Sequence, residues 1–310
     1  MKFAFVFPGQ GSQSVGMLAA YGDVAPIRDT LAEASDALGQ DLAAMVAAGP
    51  AELLNQTVNT QPVMLAAGVA VYRFWQSRGG PSPALMAGHS LGEYTALVCA
   101  GALDFSDAVK LVRLRAEAMQ SAVPEGVGAM AAVLGLDDDM VRAVCAEGAQ
   151  GEVLEAVNFN SPGQVVIAGN KAAVDRGCAL AKEKGAKRAL LLPVSVPSHC
   201  ALMQPAAEKL RLALRAIEVK TPTVAVLHNA DVTSHIDPDA IRDALARQLY
   251  SPVRWVETVQ AMAAQGISLI AECGPGKVLA GLNKRIVDGV VGVAMADAAA
   301  LADTLEKIRA

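Results

Sequence analysis

The sequence is poor in aromatic and charged residues. Phe, Trp and Tyr make up 4% of its 310 residues and Asp, Glu, Lys and Arg make up 18%, whereas hydrophobic residues reach 53%. A chain this hydrophobic can bury a sizeable core, which argues against disorder. Because Ala, Val and Leu must supply most of that core, the composition favours helices packed on a parallel sheet over an all-β sandwich.

The sequence also lacks an excess of basic residues and a long apolar run. Its formal net charge is −5, whereas a general nucleic-acid binder needs a broad basic face that displaces counterions from phosphates. The longest apolar run, from Val63 to Tyr72, is half of the roughly 20 residues that span a bilayer. The opening stretch 2–7 is too short for a signal peptide. We therefore expect a cytoplasmic protein with neither nucleic acid nor membrane as a partner.

Cysteine is scarce, and its spacing has no pattern. The five residues are Cys99, Cys145, Cys178, Cys200 and Cys273. No two of them have metal-ligand spacing, and an odd, scattered set is not a disulfide framework. We predict reduced thiols and no metal site.

The apolar pattern alternates between strands and helices. We predict strands at 3–7, 84–87, 128–134, 153–158, 165–169, 188–194, 223–228 and 267–272. We predict helices at about 27–48, 61–78, 94–100, 106–122, 137–147, 172–185, 200–216, 239–248 and 252–265, and one from about 277. The order strand–helix–strand–strand–helix–strand within 126–195 is typical of a ferredoxin-like unit. This predicts an α/β fold in which 1–125 and 196–310 form the larger domain and 126–195 an inserted subdomain.

One short stretch has the pattern of a nucleophile elbow. Gly88-His89-Ser90-Leu91-Gly92 matches G-x-S-x-G, in which small residues allow a strand to turn sharply into a helix and present the serine at the apex. A buried strand is predicted before it and a helix after it. The alternative is a serine that only caps the helix in a tight turn.

A serine nucleophile needs a base, and the chain has four histidines. His89 adjoins the serine, so its side chain diverges from it. His228 ends a predicted strand and His235 lies in a polar loop. His199 stands at a strand–helix junction, where Pro197 stiffens the approach, and we predict it as the base. No Asp or Glu is evident as a third member, and a main-chain carbonyl can orient a histidine instead.

Arg115 lies on the apolar face of the predicted helix 106–122, so it points inward. A buried guanidinium is costly unless a carboxylate or an equivalent group satisfies it. One interpretation is a structural ion pair, and the other is a bidentate clamp for a substrate carboxylate.

Two glycine-rich stretches could be mistaken for nucleotide-binding loops. Gly9-Gln10-Gly11 lacks the third glycine of a dinucleotide turn, and Gly274-Pro275-Gly276-Lys277 lacks the spacing of a P-loop. The first loop could instead donate a main-chain N–H to an oxyanion hole beside the elbow.

Six strings resemble the malonyl-CoA:acyl-carrier-protein transacylases of bacterial fatty acid synthesis. They occur in that family's order over roughly 3–290: Phe7 through Gln13, Gly88 through Tyr94, Asn158 through Gln164, Val194 through Met203, Gln248 through Val253, and Gly274 through Leu279. The resemblance implies an α/β-hydrolase-like core with a ferredoxin-like insert. It also implies six site residues: Ser90 as the acylated nucleophile, His199 as its base, Gln248 as the main-chain carbonyl that orients the base, Gln10 and Leu91 as oxyanion-hole donors, and Arg115 as the ligand of the malonyl carboxylate.

The activity that the resemblance implies is ping-pong transfer of malonyl from malonyl-CoA to acyl carrier protein, with no metal or bound cofactor. Related polyketide acyltransferases carry Phe before the active histidine when they take malonyl and Ser when they take methylmalonyl. Ser198 stands here, but its surroundings resemble the stand-alone enzymes, and we expect malonyl. Three alternatives stay open: a thioesterase or esterase with water as acceptor, a non-catalytic carrier-binding scaffold that uses basic clusters, and a transferase subunit of a malonate decarboxylase.

Overall fold

Two separate sheets organise the chain in the computed structural model, which describes residues 1–194 and 196–310. The strands, in chain order, are β1 Phe3–Phe7, β2 Leu85–Gly88, β3 Gly128–Leu134, β4 Leu154–Ser161, β5 Gln164–Asn170, β6 Arg188–Leu191, β7 Ala225–Leu227, β8 Leu269–Glu272 and β9 Val291–Ala294.

Helices account for most of the remaining ordered structure. They are α1 Ala25–Leu38, α2 Leu42–Ala48, α3 Ala51–Leu54, α4 Thr57–Ser77, α5 Gly92–Cys99, α6 Phe105–Ala122, α7 Asp138–Ala149, α8 Lys171–Glu183, α9 Gln204–Ala216, α10 Pro238–Gln248, α11 Trp255–Ala264, α12 Val278–Asn283 and α13 Ala298–Arg309. Short 3-10 turns lie at Ala19–Tyr21 and Ala201–Met203.

The larger sheet is parallel, and its central strands β2, β1 and β8 are buried on both faces. Its order is β7-β2-β1-β8-β9, with parallel pairing throughout. Along β1, Phe3, Phe5 and Phe7 join the main hydrophobic core, whereas Ala4 and Val6 join a second core on the opposite face. Alternate side chains of a strand point to opposite faces, so a strand covered on both sides must be apolar throughout. The prediction of a buried parallel strand at 3–7 is confirmed.

The smaller sheet is antiparallel, in the order β4-β5-β3-β6. With α7 and α8 it has the predicted strand–helix–strand–strand–helix–strand order, and the apolar residues of one face form a cluster with those helices. Main-chain hydrogen bonds join it to the larger part of the chain: Phe159 N–H donates to Val253 O at 3.0 Å, and Val253 N–H donates to Val157 O at 2.8 Å. Ser195, where the subdomain was predicted to end, lies outside the described residues.

One prediction of secondary structure was wrong, and two elements near the end of the chain were not predicted. The single helix expected over 27–48 is two helices, because Gly39 ends α1 with a left-handed φ of 60° and the Asp41 side chain caps α2. The helix predicted from about 277 is confirmed as α12, but β9 and α13, which follow it, were not predicted. β9 is a partly exposed edge strand of four residues that includes a glycine, so its sequence has little strand signal.

The longest helix, α4, is almost entirely buried within the protein. It has 21 residues, and even its polar first turns, including Asn59, Thr60 and Gln61, are covered. No helix in the part of the chain that the structure describes is long and apolar enough to cross a membrane. The buried Gln61 faces the site described below.

Replacement of Trp75 tests the packing of the main hydrophobic core. The Trp75 ring is fully buried against Phe3 and Phe5, and its Nε1–H donates to Pro81 O at 3.0 Å. Trp75→Ala should lower the free energy of unfolding by about 3–5 kcal/mol, because a large cavity remains. The control Leu212→Ala removes a side chain that is 68% exposed and should change it by less than about 0.5 kcal/mol. Urea unfolding measures both, and a similar loss in the two variants would contradict the packing described.

Candidate active site

Ser90 stands in a sharp turn between β2 and α5. Its φ of 52° lies in the left-handed region, which costs a non-glycine residue about 1–3 kcal/mol. A Cβ on Gly88 would lie 1.8 Å from the main-chain carbon of Gly92, and a Cβ on Gly92 would lie 2.0 Å from Phe7 O. Only glycine fits both positions, so the G-x-S-x-G pattern is a steric requirement of this turn.

His199 is the histidine that faces Ser90. Its Nδ1 lies 2.8 Å from the main-chain oxygen of Gln248, and its Nε2 lies 2.8 Å from Ser90 Oγ. Because a carbonyl oxygen only accepts, Nδ1 carries the proton and Nε2 is free to accept from the serine hydroxyl. His199 is also left-handed, with φ 67°, and its main-chain N–H donates to Leu249 O at 2.9 Å. The arrangement matches the predicted pair, with the carbonyl in place of an acid.

The other three histidines have different partners. His89 Nε2 is 2.8 Å from Asn160 Oδ1, His228 Nδ1 is 2.7 Å from Glu93 Oε1, and His235 Nε2 is 3.0 Å from Asp231 Oδ2. These contacts leave His199 as the histidine in position to take a proton from Ser90.

The ring of His199 is 2% exposed and close to a cation. Burial, and then the charge of Arg115, lower the pKa of His199 to about 3, against the smaller opposing effect of the hydrogen bond to Gln248. The imidazole is therefore neutral at any pH near 7. A neutral ring is the form that can accept a proton from a serine.

Arg115 is buried at the end of the cavity, with 1% of its surface exposed. Its Nη1 donates to Gln61 Oε1 at 2.7 Å, and its Nη2 donates to Gln248 Oε1 at 3.0 Å and to Ser90 Oγ at 3.3 Å. No salt bridge joins it to an Asp or Glu of residues 1–194 and 196–310. The structural ion pair considered above is therefore absent from the described chain, and the guanidinium is held by neutral oxygens.

The loop after β1 lies against the elbow. A Cβ placed on Gly9 would come within 2.5 Å of His89 O and 3.8 Å of Leu91 N, so the two main chains are in close contact. Gln10 and Leu91 both line the cavity at Ser90. The N–H of Ser90 itself donates to Asn229 Oδ1 at 2.7 Å and is not free to bind an oxyanion.

These groups line one cavity of about 150 Å³. Ser90, His199, Arg115, Gln10 and Leu91 all face it, together with Ser198. Met130 and Asn158 of the smaller sheet also line it. Gln248 lies behind the cavity, where its main chain and side chain reach His199 and Arg115.

Several polar residues that no sequence pattern indicated support the site. Gln61 accepts a hydrogen bond from Arg115, and Asn229 accepts one from the N–H of Ser90. Glu93 accepts from Gln248, which in turn bonds to Arg115 and Ser90. Asn229 could have been noticed, since it comes two residues after β7, at the edge of a parallel sheet where ligand sites form. Glu93 stands three residues after Ser90, in the first turn of α5, so its place just beyond the elbow was a signal.

Comparisons with known proteins agree along the whole chain. Residues 4–307 match the acyl transferase domain. The malonyl CoA-acyl carrier protein transacylase of Escherichia coli (strain K12) is 60% identical over 306 residues, covering 98% of this chain and 99% of that protein.

Solved structures give the same result. An acyl-carrier-protein S-malonyltransferase from Burkholderia pseudomallei is similar with a TM-score of 0.97 at 62% identity, covering 99% of this chain and 100% of that one. A malonyl-transacylase solved in complex with its type II PKS acyl-carrier protein is similar with a TM-score of 0.98 at 56% identity, with coverage of 99% and 100%. The chain thus belongs to the acyl transferase domain family and, within it, to the malonyl CoA-acyl carrier protein transacylases.

Proposed function

We propose that this protein moves a malonyl group from malonyl-CoA to the phosphopantetheine thiol of acyl carrier protein, through a malonyl ester on Ser90, in fatty acid biosynthesis. The observation that carries the proposal is that three groups line one cavity. A serine is hydrogen-bonded to a neutral histidine, and beside them lies a buried guanidinium that lacks a carboxylate partner in the described chain. The transacylases to which the chain is similar are named for the same donor and acceptor.

In the first half-reaction, Ser90 Oγ attacks the thioester carbonyl as His199 Nε2 takes its proton. The N–H groups of Gln10 and Leu91 stabilise the oxyanion of the tetrahedral intermediate, a contribution of about 10²–10³ in rate for each such donor. The carbon–sulfur bond then breaks. His199 returns the proton to the departing CoA sulfur, which leaves a malonyl ester on Ser90.

In the second half-reaction the carrier's thiol replaces CoA. His199 takes the proton of the phosphopantetheine thiol, whose sulfur attacks the ester carbonyl of malonyl-Ser90. The intermediate collapses and the serine oxygen recovers the proton from His199. Throughout, the carbonyl of Gln248 keeps Nδ1 protonated, so no carboxylic acid is required.

We propose that Arg115 recognises the free carboxylate of the malonyl group. Its Nη2 is already 3.3 Å from Ser90 Oγ, so a carboxylate two bonds beyond the acyl carbonyl is within its reach. Since Ser90, His199 and two main-chain N–H groups supply nucleophile, base and charge stabilisation, we propose that the reaction uses CoA thioesters without a metal or bound cofactor.

The finer description of the fold and the location are also proposals. The sheet order β6-β3-β5-β4 and the two helices support a ferredoxin-like subdomain over 126–195. The elbow at the end of β2 supports an α/β-hydrolase-like domain over 1–125 and 196–310. Fatty acid synthesis in bacteria and the composition both favour a cytoplasmic location.

The covalent intermediate is tested by mass spectrometry. After brief exposure to malonyl-CoA alone, the peptide that contains Ser90 should gain one malonyl group and lose it when acyl carrier protein is added. Ser90→Ala should stay unmodified. Continuous turnover of malonyl-CoA without a thiol acceptor would support a thioesterase instead. A wild-type protein that never gains the adduct would refute the transfer mechanism and favour a scaffold.

Arg115→Ala tests the carboxylate clamp. We expect kcat/KM for malonyl-CoA to fall by 10²-fold or more, since breaking a buried charge pair costs about 2–5 kcal/mol. Acetyl-CoA, which has no carboxylate, should become a better donor. Arg113→Ala is the matched control, because Arg113 is on the same helix but donates to Asn59 Oδ1 at 3.3 Å. Equal losses for the two donors in Arg115→Ala would contradict the clamp.

The pH dependence of Ser90 malonylation tests the state of His199. With its pKa lowered to about 3, His199 stays neutral, so the single-turnover rate constant should be level between pH 8 and pH 5. A base with the ordinary pKa of about 6.5 would be largely protonated at pH 5, and the rate constant would fall about 30-fold. Rapid-quench mass spectrometry, with circular dichroism as a check on folding, measures it. A fall centred near pH 6.5 would contradict the assignment.

A further inference from the structure

Glu93 is a carboxylate that lies beneath the nucleophile and is closed off from solvent. It stands in the first turn of α5 and is 0% exposed. Three donors from other parts of the chain converge on it: His228 Nδ1 at 2.7 Å, Asn229 N at 2.9 Å and Gln248 Nε2 at 2.9 Å. A buried carboxylate is stable only when its oxygens are bonded in this way.

Among these three donors, Asn229 also hydrogen-bonds to residues on both sides of the nucleophile turn. Its Oδ1 accepts from the N–H of Ser90 at 2.7 Å, and its Nδ2 donates to Gly88 O at 2.7 Å. Because Ser90 is in a strained conformation, these bonds keep its hydroxyl in place. The bond from Asn229 N–H to Glu93 fixes the asparagine in turn.

Gln248, the second partner, connects the serine, the base and the arginine. Its Nε2 donates to Ser90 O at 2.9 Å as well as to Glu93, and its Oε1 accepts from Arg115 Nη2 at 3.0 Å. Its main-chain oxygen accepts from His199 Nδ1. All the groups assigned to the reaction, other than the oxyanion donors, therefore bond to Gln248 or Asn229.

The carboxylate is one of three groups that set which way the Gln248 amide points, together with Ser90 O and Arg115 Nη2. The oxygen and nitrogen ends of a glutamine amide have nearly the same shape, so hydrogen-bond partners determine its orientation. Glu93 accepts only, so it binds the NH₂ end, which leaves the oxygen end for Arg115. With no acceptor at position 93, one N–H of Gln248 loses its partner, and only Ser90 O and the guanidinium still hold the amide.

We infer that Glu93 is a positioning residue for the transfer reaction: through Asn229 it holds the Ser90 elbow, and through Gln248 it sets His199 and Arg115. The inference rests on the proposed function, because it assigns Glu93 an effect on that reaction. Glu93 touches neither substrate nor reacting atoms. Its effect is on the rate at which a bound donor acylates Ser90 and on the preference for a carboxylated acyl group.

Glu272 offers a matched control. It is also 0% exposed and also hydrogen-bonded, since its Oε2 accepts from Ala280 N–H at 2.8 Å, but its partner belongs to α12 and not to the site. Replacing either glutamate removes a buried carboxylate. Only the replacement of Glu93 should change the rate of Ser90 acylation in the folded protein.

The test measures Ser90 acylation at saturating malonyl-CoA and acetyl-CoA, together with the melting temperature. Glu93→Ala should lower the rate constant about 10²-fold for both donors, the loss expected of misplaced reacting groups. It should also lower the malonyl-to-acetyl ratio of kcat/KM several-fold. Glu272→Ala should lower the melting temperature but keep, at a temperature where it is folded, both the rate constants and the ratio within about threefold of wild type.

Glu93→Gln should restore most of the rate. Its side-chain oxygen can still accept from Asn229 and Gln248, and its NH₂ can donate to His228 Nδ1 once that ring has its proton on Nε2. We expect rate constants within about tenfold of wild type and a recovered donor ratio. If Glu93→Ala does not fold, Glu93→Asp takes its place, since the shorter side chain cannot reach all three donors.

Two results would overturn the inference. One is a folded Glu93→Ala, or Glu93→Asp in its place, whose rate constants and donor ratio stay within threefold of wild type. The other is a loss that tracks the folded fraction in the Glu93 and Glu272 variants alike. Failure of the proposed function is a different observation, because then the wild-type protein itself forms no malonyl adduct.

Discussion

Gly88 lies so close to Gly92, and Gly92 so close to Phe7 O, that no side chain could be built on either glycine. The strand must therefore turn into α5 with Ser90 at the apex, in a conformation that serine does not prefer. This turn sends the hydroxyl into the cavity and leaves the surrounding main-chain groups in need of buried partners. Asn229 and Gln248 supply them, and their other bonds reach His199, Arg115 and Glu93.

The charges at the site follow from what is buried with them. Arg115 is a cation without a carboxylate partner in the described chain, and its field and the burial of His199 keep that ring neutral. In the proposed reaction, a bound malonyl group supplies the missing negative charge. An acyl group without a carboxylate leaves the guanidinium with the neutral partners described above. On that proposal Arg115 both helps to keep the base unprotonated and selects the substrate, so the two effects are coupled.

Much of this could be predicted from the sequence because the relevant signals are local. The elbow, the strand at 3–7 and the inward face of Arg115 depend on spacing within a few residues, and the structure agrees with all three. The choice of His199 depended on its place between a strand and a helix. The roles of Gln10, Leu91 and Gln248 came only from the family resemblance, because main-chain groups have no side-chain signal.

What was missed depends on contacts between distant parts of the chain. Glu93 and Asn229 are 136 positions apart, and Glu93 and Gln248 are 155 apart, so no local pattern relates them. The broken helix at Gly39 and the edge strand β9 were missed because a single glycine or a four-residue strand carries little periodicity.

The cavity's volume has a consequence for the order of events. About 150 Å³ is small beside the roughly 300–1,000 Å³ of pockets that enclose a drug-sized ligand. Such a space takes an acyl group and the sulfur end of one pantetheine arm, while the nucleotide of CoA or the body of a carrier protein stays outside. The departing and the incoming thiol therefore use the same space, as the proposed two-step transfer requires. Between the two half-reactions the serine ester is the one covalent bond that holds the acyl group, and the lifetime of that ester against water decides how long the protein can wait for its acceptor.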